Sequence, residues 1–366
     1  MRRRHQALHA AALPMLAYYL FFAGLLAGPA WIGYHYFDLN RYPAGNDIVS
    51  YLRLAEGKAP ANPVHFYRVA VPLAARVLAD AVSMLAPNHD RQELIRGAFF
   101  VVNLAITAAA ALVLFLMLLD FVGEPGYALL GVLAFLLSRD VIDETGLPSI
   151  DSLLFLTVAA SFYAIRVRSA VILAVVLLLG PAVKENFAFL VPILFFFGAL
   201  SKRRILALLI VGYGLAFAIR SAVDVWLHTA QIHNLAAAFS HAGMIPGSIH
   251  KLLDGHGELT LMMAFGPFWL ILALGFFGGA EARAAWLKRL DAPLLWWLPL
   301  VCVQMLLSGN LSRMAVLAFP TMGAAVALIL SRHPIAVSLV RGLGPASRAI
   351  ANEDNPGIPP IEAETH

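Results

Sequence analysis

Cysteine and charge are the scarce ingredients of this 366-residue chain, and each scarcity excludes something. The single cysteine, Cys302, sits in an apolar run, so there is no intramolecular disulfide framework and no cysteine-based metal cluster. It reads as a small buried apolar residue. Asp, Glu, Lys and Arg together make up 13% of the residues, about half the share of a soluble domain. No Gly-x-Ser-x-Gly elbow, phosphate-loop spacing or His-Glu-x-x-His pair occurs, and no internal repeat is discernible.

What is abundant is apolar length. Hydrophobic residues form 60% of the chain and the mean hydropathy is +0.77, the composition of a polytopic membrane protein. Apolar runs lie at 11–33, 97–119, 126–139, 147–165, 169–182, 186–200, 205–223, 259–280, 292–308 and 313–331. The fold class expected is therefore all-α, a transmembrane bundle of about ten spans. The third, fifth and sixth runs are shorter than the ~20 residues a perpendicular helix needs. Although the formal charge is +4, the cations gather in short connections: Arg2 to Arg4, Arg166 and Arg168, Lys202 to Arg204, and Arg283, Lys288 and Arg289. That is a topology signal placing these connections in the cytoplasm, and nucleic acid is not an expected partner. The basic start MRRRHQ before a run of spanning length reads as a retained anchor.

This bias divides the chain into a cytoplasmic N-terminus (1–10), a transmembrane domain (11–331) with a long first outer loop (34–96), and a cytoplasmic tail (332–366) that is disordered towards its end. The count works if the segment from Arg68 to Leu85 does not cross but forms an interfacial or re-entrant helix, with Arg68, Pro72, Arg76 and Asp80 as one polar stripe. Most remaining polar clusters then share the outer face: Asp38 to Lys58, Arg139 to Asp151, Lys184 with Glu185, the loop from Asp224 to Glu258, and Asn310 with Arg313. Charges at span ends are costly against hydrocarbon, so a polar outer cavity roofed by the first loop is expected. The five histidines of loop 225–258, His228, His233, His241, His250 and His256, lack ligand spacing and read as solvated.

Within the first loop, Asn46 is a good helix N-cap, Ile48, Tyr51, Leu52 and Ala55 follow at helical spacing, and Gly57 supplies a stop. Asp47 thus sits in a first helical turn, where the helix dipole favours a carboxylate that can accept a proton. The plainer alternative is a residue that caps a surface helix.

The pieces GNDIVSY and YRVAVPLAARVL in the first loop, VKENFAFLVPILF in a central span and SRMAVLAFPTM late in the chain resemble motifs of the GT-C class of integral-membrane glycosyltransferases. The resemblance implies a GT-C-like bundle over roughly 11–331, a polyprenyl-phosphate sugar as donor, a lipid or glycan acceptor, and an active site facing outward. Inversion at the sugar carbon is expected. An acidic residue of the first loop acts as base or orients the acceptor in that class, and by position this is Asp47. The paired Asp-Asp or Glu-Asp often found there is missing, which leaves Asp38 as the alternative. Displacing a lipid phosphate needs a base and cations to hold the departing charge. Arg68, Lys184 and Arg313 are the candidate cations, with Glu185, Tyr51 and Asp151 as further substrate-binding candidates. Lys184 and Arg313 could equally snorkel, or pair with Asp140, Asp143, Glu144 or Asp151. No cofactor is read from the sequence, and a divalent metal is compatible with it. A bacterial inner membrane is the expected location. A transporter and a lipid-binding subunit of an envelope assembly complex are the rival functions.

Overall fold

The computed structural model describes residues 2–38, 42–43, 46–60, 65, 67–228 and 241–343. Every regular element among them is helical. In chain order these are α1 (Arg2–His35), α2 (Asp47–Ala55), α3 (Ala70–Leu85), α4 (Arg91–Val122), α5 (Pro125–Leu136), α6 (Arg139–Gly146), α7 (Asp151–Arg166), α8 (Ala170–Val183) and α9 (Leu190–Phe197). They continue with α10 (Lys202–Trp226), α11 (Ile245–Leu253), α12 (Gly255–Phe265), α13 (Phe268–Leu274), α14 (Gly279–Leu287), α15 (Ala292–Ser308), α16 (Leu311–Ala315), α17 (Phe319–Arg332) and α18 (Pro334–Leu343). Short 3-10 turns, Glu185–Phe189 among them, join some of these.

Among the described residues, four helical stretches are long and apolar enough to cross a membrane: the apolar part of α1, α4, α10, and α16 continuing into α17. The number rises to seven if each of the bent pairs α5–α6, α12–α13 and α14–α15 is one span. The chain is thus a multi-pass helical membrane protein. The three other apolar runs fold as α7, of 16 residues, α8, of 14, and the 3-10 turn with α9. At the centre lies the α16–α17 stretch, 83% buried, whereas α1 and α10 are only 17% and 22% buried and form the periphery.

Local chemistry explains several boundaries. Asn46 caps α2, its side chain accepting from the Ile48 N–H at 2.9 Å, and Gly57 after the helix has a φ of 77° that disfavours side-chain-bearing residues. Asp90 caps α4 through the Glu93 N–H, and Gly123 closes it in the left-handed region. The 139–151 segment, read as a polar cluster of the outer face, begins with a short helix, α6, bent 65° from α5. Its Val141, Thr145 and Gly146 are buried, and a Cβ on Gly146 would lie 2.3 Å from the Ala30 carbonyl oxygen of α1. The bend is therefore packed against α1 backbone that only glycine admits.

The first loop builds its own apolar cluster. Tyr51, Leu52, Leu54 and Ala55 of α2 pack with Val71, Ala75 and Ala79 of α3, the start of α4, Ile150 and Val223. Pro72, placed by sequence on the polar face of α3, is buried instead, because it has no polar group to present and the helix turns that side inward. Arg76, Asp80 and Arg91 do form an ion-paired edge. Cys302 is exposed rather than buried, lying on the apolar outward face of α15. His233, Arg41 and the tail from 344 lie outside the described residues.

Two polar poles bracket the large apolar core. At one, Arg166, which ends α7, pairs with Asp120 near the end of α4 and with Asp291 before α15. At the other, the start of α7, the end of α8 and the start of α16 meet α2. The 16 residues of α7 separate the poles by about 24 Å.

Candidate functional site

The second pole is a closed circuit of side chains. It begins at α2, whose cap sets Asp47 in the first turn and Tyr51 one turn later on the buried face. Asp47 receives Arg313 at 3.0 Å on one carboxylate oxygen and the Nε2 of His65 at 2.7 Å on the other. Arg313 also holds Asp151 through its Nε, and lies 3.1 Å from Glu144. Asp151 takes Lys184 on its second oxygen at 2.6 Å. The neighbour of Lys184, Glu185, pairs with Arg68, whose Nε donates at 3.1 Å. Finally Arg68 Nη1 donates to the Tyr51 hydroxyl at 2.7 Å, which returns the circuit to α2.

Each corner is set by its own helix end. The Asn310 side chain caps α16 and accepts from the Arg313 N–H at 3.3 Å. α8 ends at Val183, and extended backbone at Lys184 leads into the 3-10 turn, so the Lys184–Glu185 pair emerges at a break between helices. Asn103, wholly buried in α4, donates to the Leu147 and Ser149 carbonyls at 3.1 Å each and accepts from Ser152 at 2.6 Å. Thr107 contacts Thr145 at 3.1 Å. These contacts fix the corner between α6 and α7 that carries Glu144 and Asp151.

Charge inside the circuit is nearly balanced. Asp47, Glu144, Asp151 and Glu185 face Arg68, Lys184 and Arg313, four acidic side chains against three basic ones, with His65 and the Tyr51 hydroxyl as the other titratable groups. Burial acts to raise the pKa of Asp47, but the His65 hydrogen bond and the Arg313 charge outweigh it and hold the carboxyl well below the usual range. Burial pushes the Tyr51 hydroxyl up, which keeps it a protonated phenol at neutral pH.

Neither a family model, nor a curated protein, nor a solved structure matches this chain.

A small open cleft adjoins the circuit between α8 and α10. Arg68, Lys184, Glu185, Tyr67 and Arg220 line it, against an apolar wall that includes Pro181 and Ile219. Arg220 lies 5.1 Å from the Tyr67 ring centroid, and the Tyr67 hydroxyl donates to Asp224 at 3.2 Å. Glu185 is the displaceable member: its side chain is 44% exposed, whereas that of Arg68 is 8% exposed.

All seven residues named from sequence, Asp47, Tyr51, Arg68, Asp151, Lys184, Glu185 and Arg313, lie in this circuit. The pairing alternative is also present, since Lys184 and Arg313 both engage Asp151 and Arg313 reaches Glu144. His65 and Arg220 were not anticipated. The available signals were a histidine three residues before Arg68 in the uncharged stretch 59–67 of an otherwise charge-rich loop, and an arginine interrupting the apolar face of α10 near its end. Among the described residues, no three or more His, Cys, Asp or Glu side chains are arranged to hold a metal ion.

Proposed function

We propose that the chain is a GT-C-like membrane glycosyltransferase that moves a sugar from a polyprenyl-phosphate donor to a lipid or glycan acceptor on the non-cytoplasmic side. The observation that carries this reading is the circuit itself: an acidic helix start, a cation set and a cleft with an apolar wall occur together at one pole. The donor phosphate exchanges with Glu185 on Arg68, with Lys184 behind it, and its prenyl chain lies along the apolar side of the cleft towards the lipid-facing α10. Asp47, 3.0 Å from Arg313 and 2.7 Å from His65, marks the acceptor end. Displacement at the sugar carbon breaks its bond to the phosphate oxygen, and the departing charge falls to Arg68 and Lys184.

Ten crossings are the topology that fits this reading, with the short α7 enclosed by protein, α8 and α9 exposing one apolar side each, and the Arg166 pole in the cytoplasm. A transporter is less well supported, because the polar groups gather at a pole rather than near mid-depth and a continuous apolar core lies between the poles. The test is release of polyprenyl phosphate from labelled polyprenyl-phosphate hexoses by the purified chain in proteoliposomes, with a membrane lipid extract as acceptor. The reading expects turnover, and binding without turnover of any of these donors would contradict it.

A further inference from the structure

Asp47 is poorly suited to take up a proton in this arrangement. Both of its oxygens are engaged, and a carboxylate stabilised by a guanidinium and an imidazole is a weak base. The imidazole beside it has the complementary property. An ionised Asp47 can only accept, so the His65 Nε2 facing it at 2.7 Å carries the hydrogen. That fixes the tautomer and leaves a lone pair on Nδ1 of the neutral ring. Nδ1 is buried and has no hydrogen-bond partner among the described residues, in a side chain only 5% exposed. A buried, unpartnered ring nitrogen is costly in a resting protein unless something else completes it.

We propose that His65 is the group that takes the proton of the acceptor hydroxyl, through Nδ1, with Asp47 as the positioning carboxylate that holds its ring and tautomer. This rests on the glycosyl-transfer reading and assigns its proton. The acceptor O–H bond breaks and its proton goes to Nδ1. The freed oxygen pair forms the bond to the sugar carbon, and the bond from that carbon to the phosphate oxygen breaks, its electron pair leaving with the polyprenyl phosphate. The imidazolium formed faces the Asp47 carboxylate, which stabilises it, and returns its proton to solvent after transfer. Among the described residues, the charged and titratable groups around His65 are Asp47 and Tyr51 of α2, Arg313 of α16, which reaches it through Asp47, and Arg68, which reaches it through Tyr51. Both arginines keep their charge across the accessible range, so the proton moves on the imidazole.

The test is His65→Gln in the full chain, assayed by release of polyprenyl phosphate from labelled polyprenyl-phosphate hexoses. Glutamine keeps a donor at the position of Nε2 for Asp47 but has no basic nitrogen. The expected result is a kcat lower by about 10²–10⁴-fold with the donor KM nearly unchanged. A parent that turns over while the variant stays within threefold of it overturns this inference alone. So does a variant whose lost rate comes with an equal loss of donor binding or of melting temperature, since His65 would then act through the fold. A parent that releases no polyprenyl phosphate overturns the glycosyl-transfer reading and this inference with it.

Discussion

At the scale of single residues, the circuit makes each charge depend on its neighbours. Asp47 has a folded-state pKa below its unfolded value, so its pairing stabilises the fold fully above the ordinary carboxylate range, near pH 3.9, and that contribution is lost as the pH falls through the lower folded value. Thermal melts should therefore show an acid-induced loss of stability below about pH 4, and Asp47→Asn should remove part of it. Melts of the two proteins from pH 3 to 7 check this. Arg68 has a different role, since it touches Tyr51 and the displaceable Glu185. Arg68→Ala should raise the donor KM by about tenfold or more as well as lower kcat, whereas a residue acting only at the transition state would leave KM in place.

At the scale of elements, the circuit depends on helix ends that the apolar core holds in place. Asp151 at the start of α7 is the shared partner of Lys184 and Arg313, and its side chain is 2% exposed. Asp151→Asn should leave two buried cations short of their counter-ion and cost about 3–5 kcal/mol, read as a marked drop in melting temperature. Gly146→Val should be comparably damaging, because the new side chain meets α1 backbone. Several of these elements were legible in the sequence. Asn46 and Gly57 bracket α2 by local chemistry alone, and charged residues in so apolar a chain can only meet one another at span ends, which is why the seven named residues converge. Other features were not legible. The side of α3 that Pro72 faces depends on α4, and the helical start of the 139–151 segment depends on its packing against α1. His65 gave no periodic signal, because its tie to Asp47 is a tertiary contact across 18 positions of chain.

At the scale of the whole molecule, the two poles imply a sidedness. The proposed topology puts the basic connections and the Arg166 pole in the cytoplasm and, with them, the circuit on the far side. In intact cells an impermeant thiol reagent should modify Lys58→Cys and spare Arg203→Cys, each made in a Cys302→Ser background because Cys302 is exposed. The opposite pattern would invert the scheme. The most direct test of the central claim is transfer from a labelled polyprenyl-phosphate hexose by the parent and by Asp47→Asn in matched proteoliposomes. The account predicts turnover by the parent and a loss of about 10²–10⁴-fold in the variant, which inserts correctly and still binds donor. A stable Asp47→Asn protein that transfers within a few-fold of the parent would contradict it.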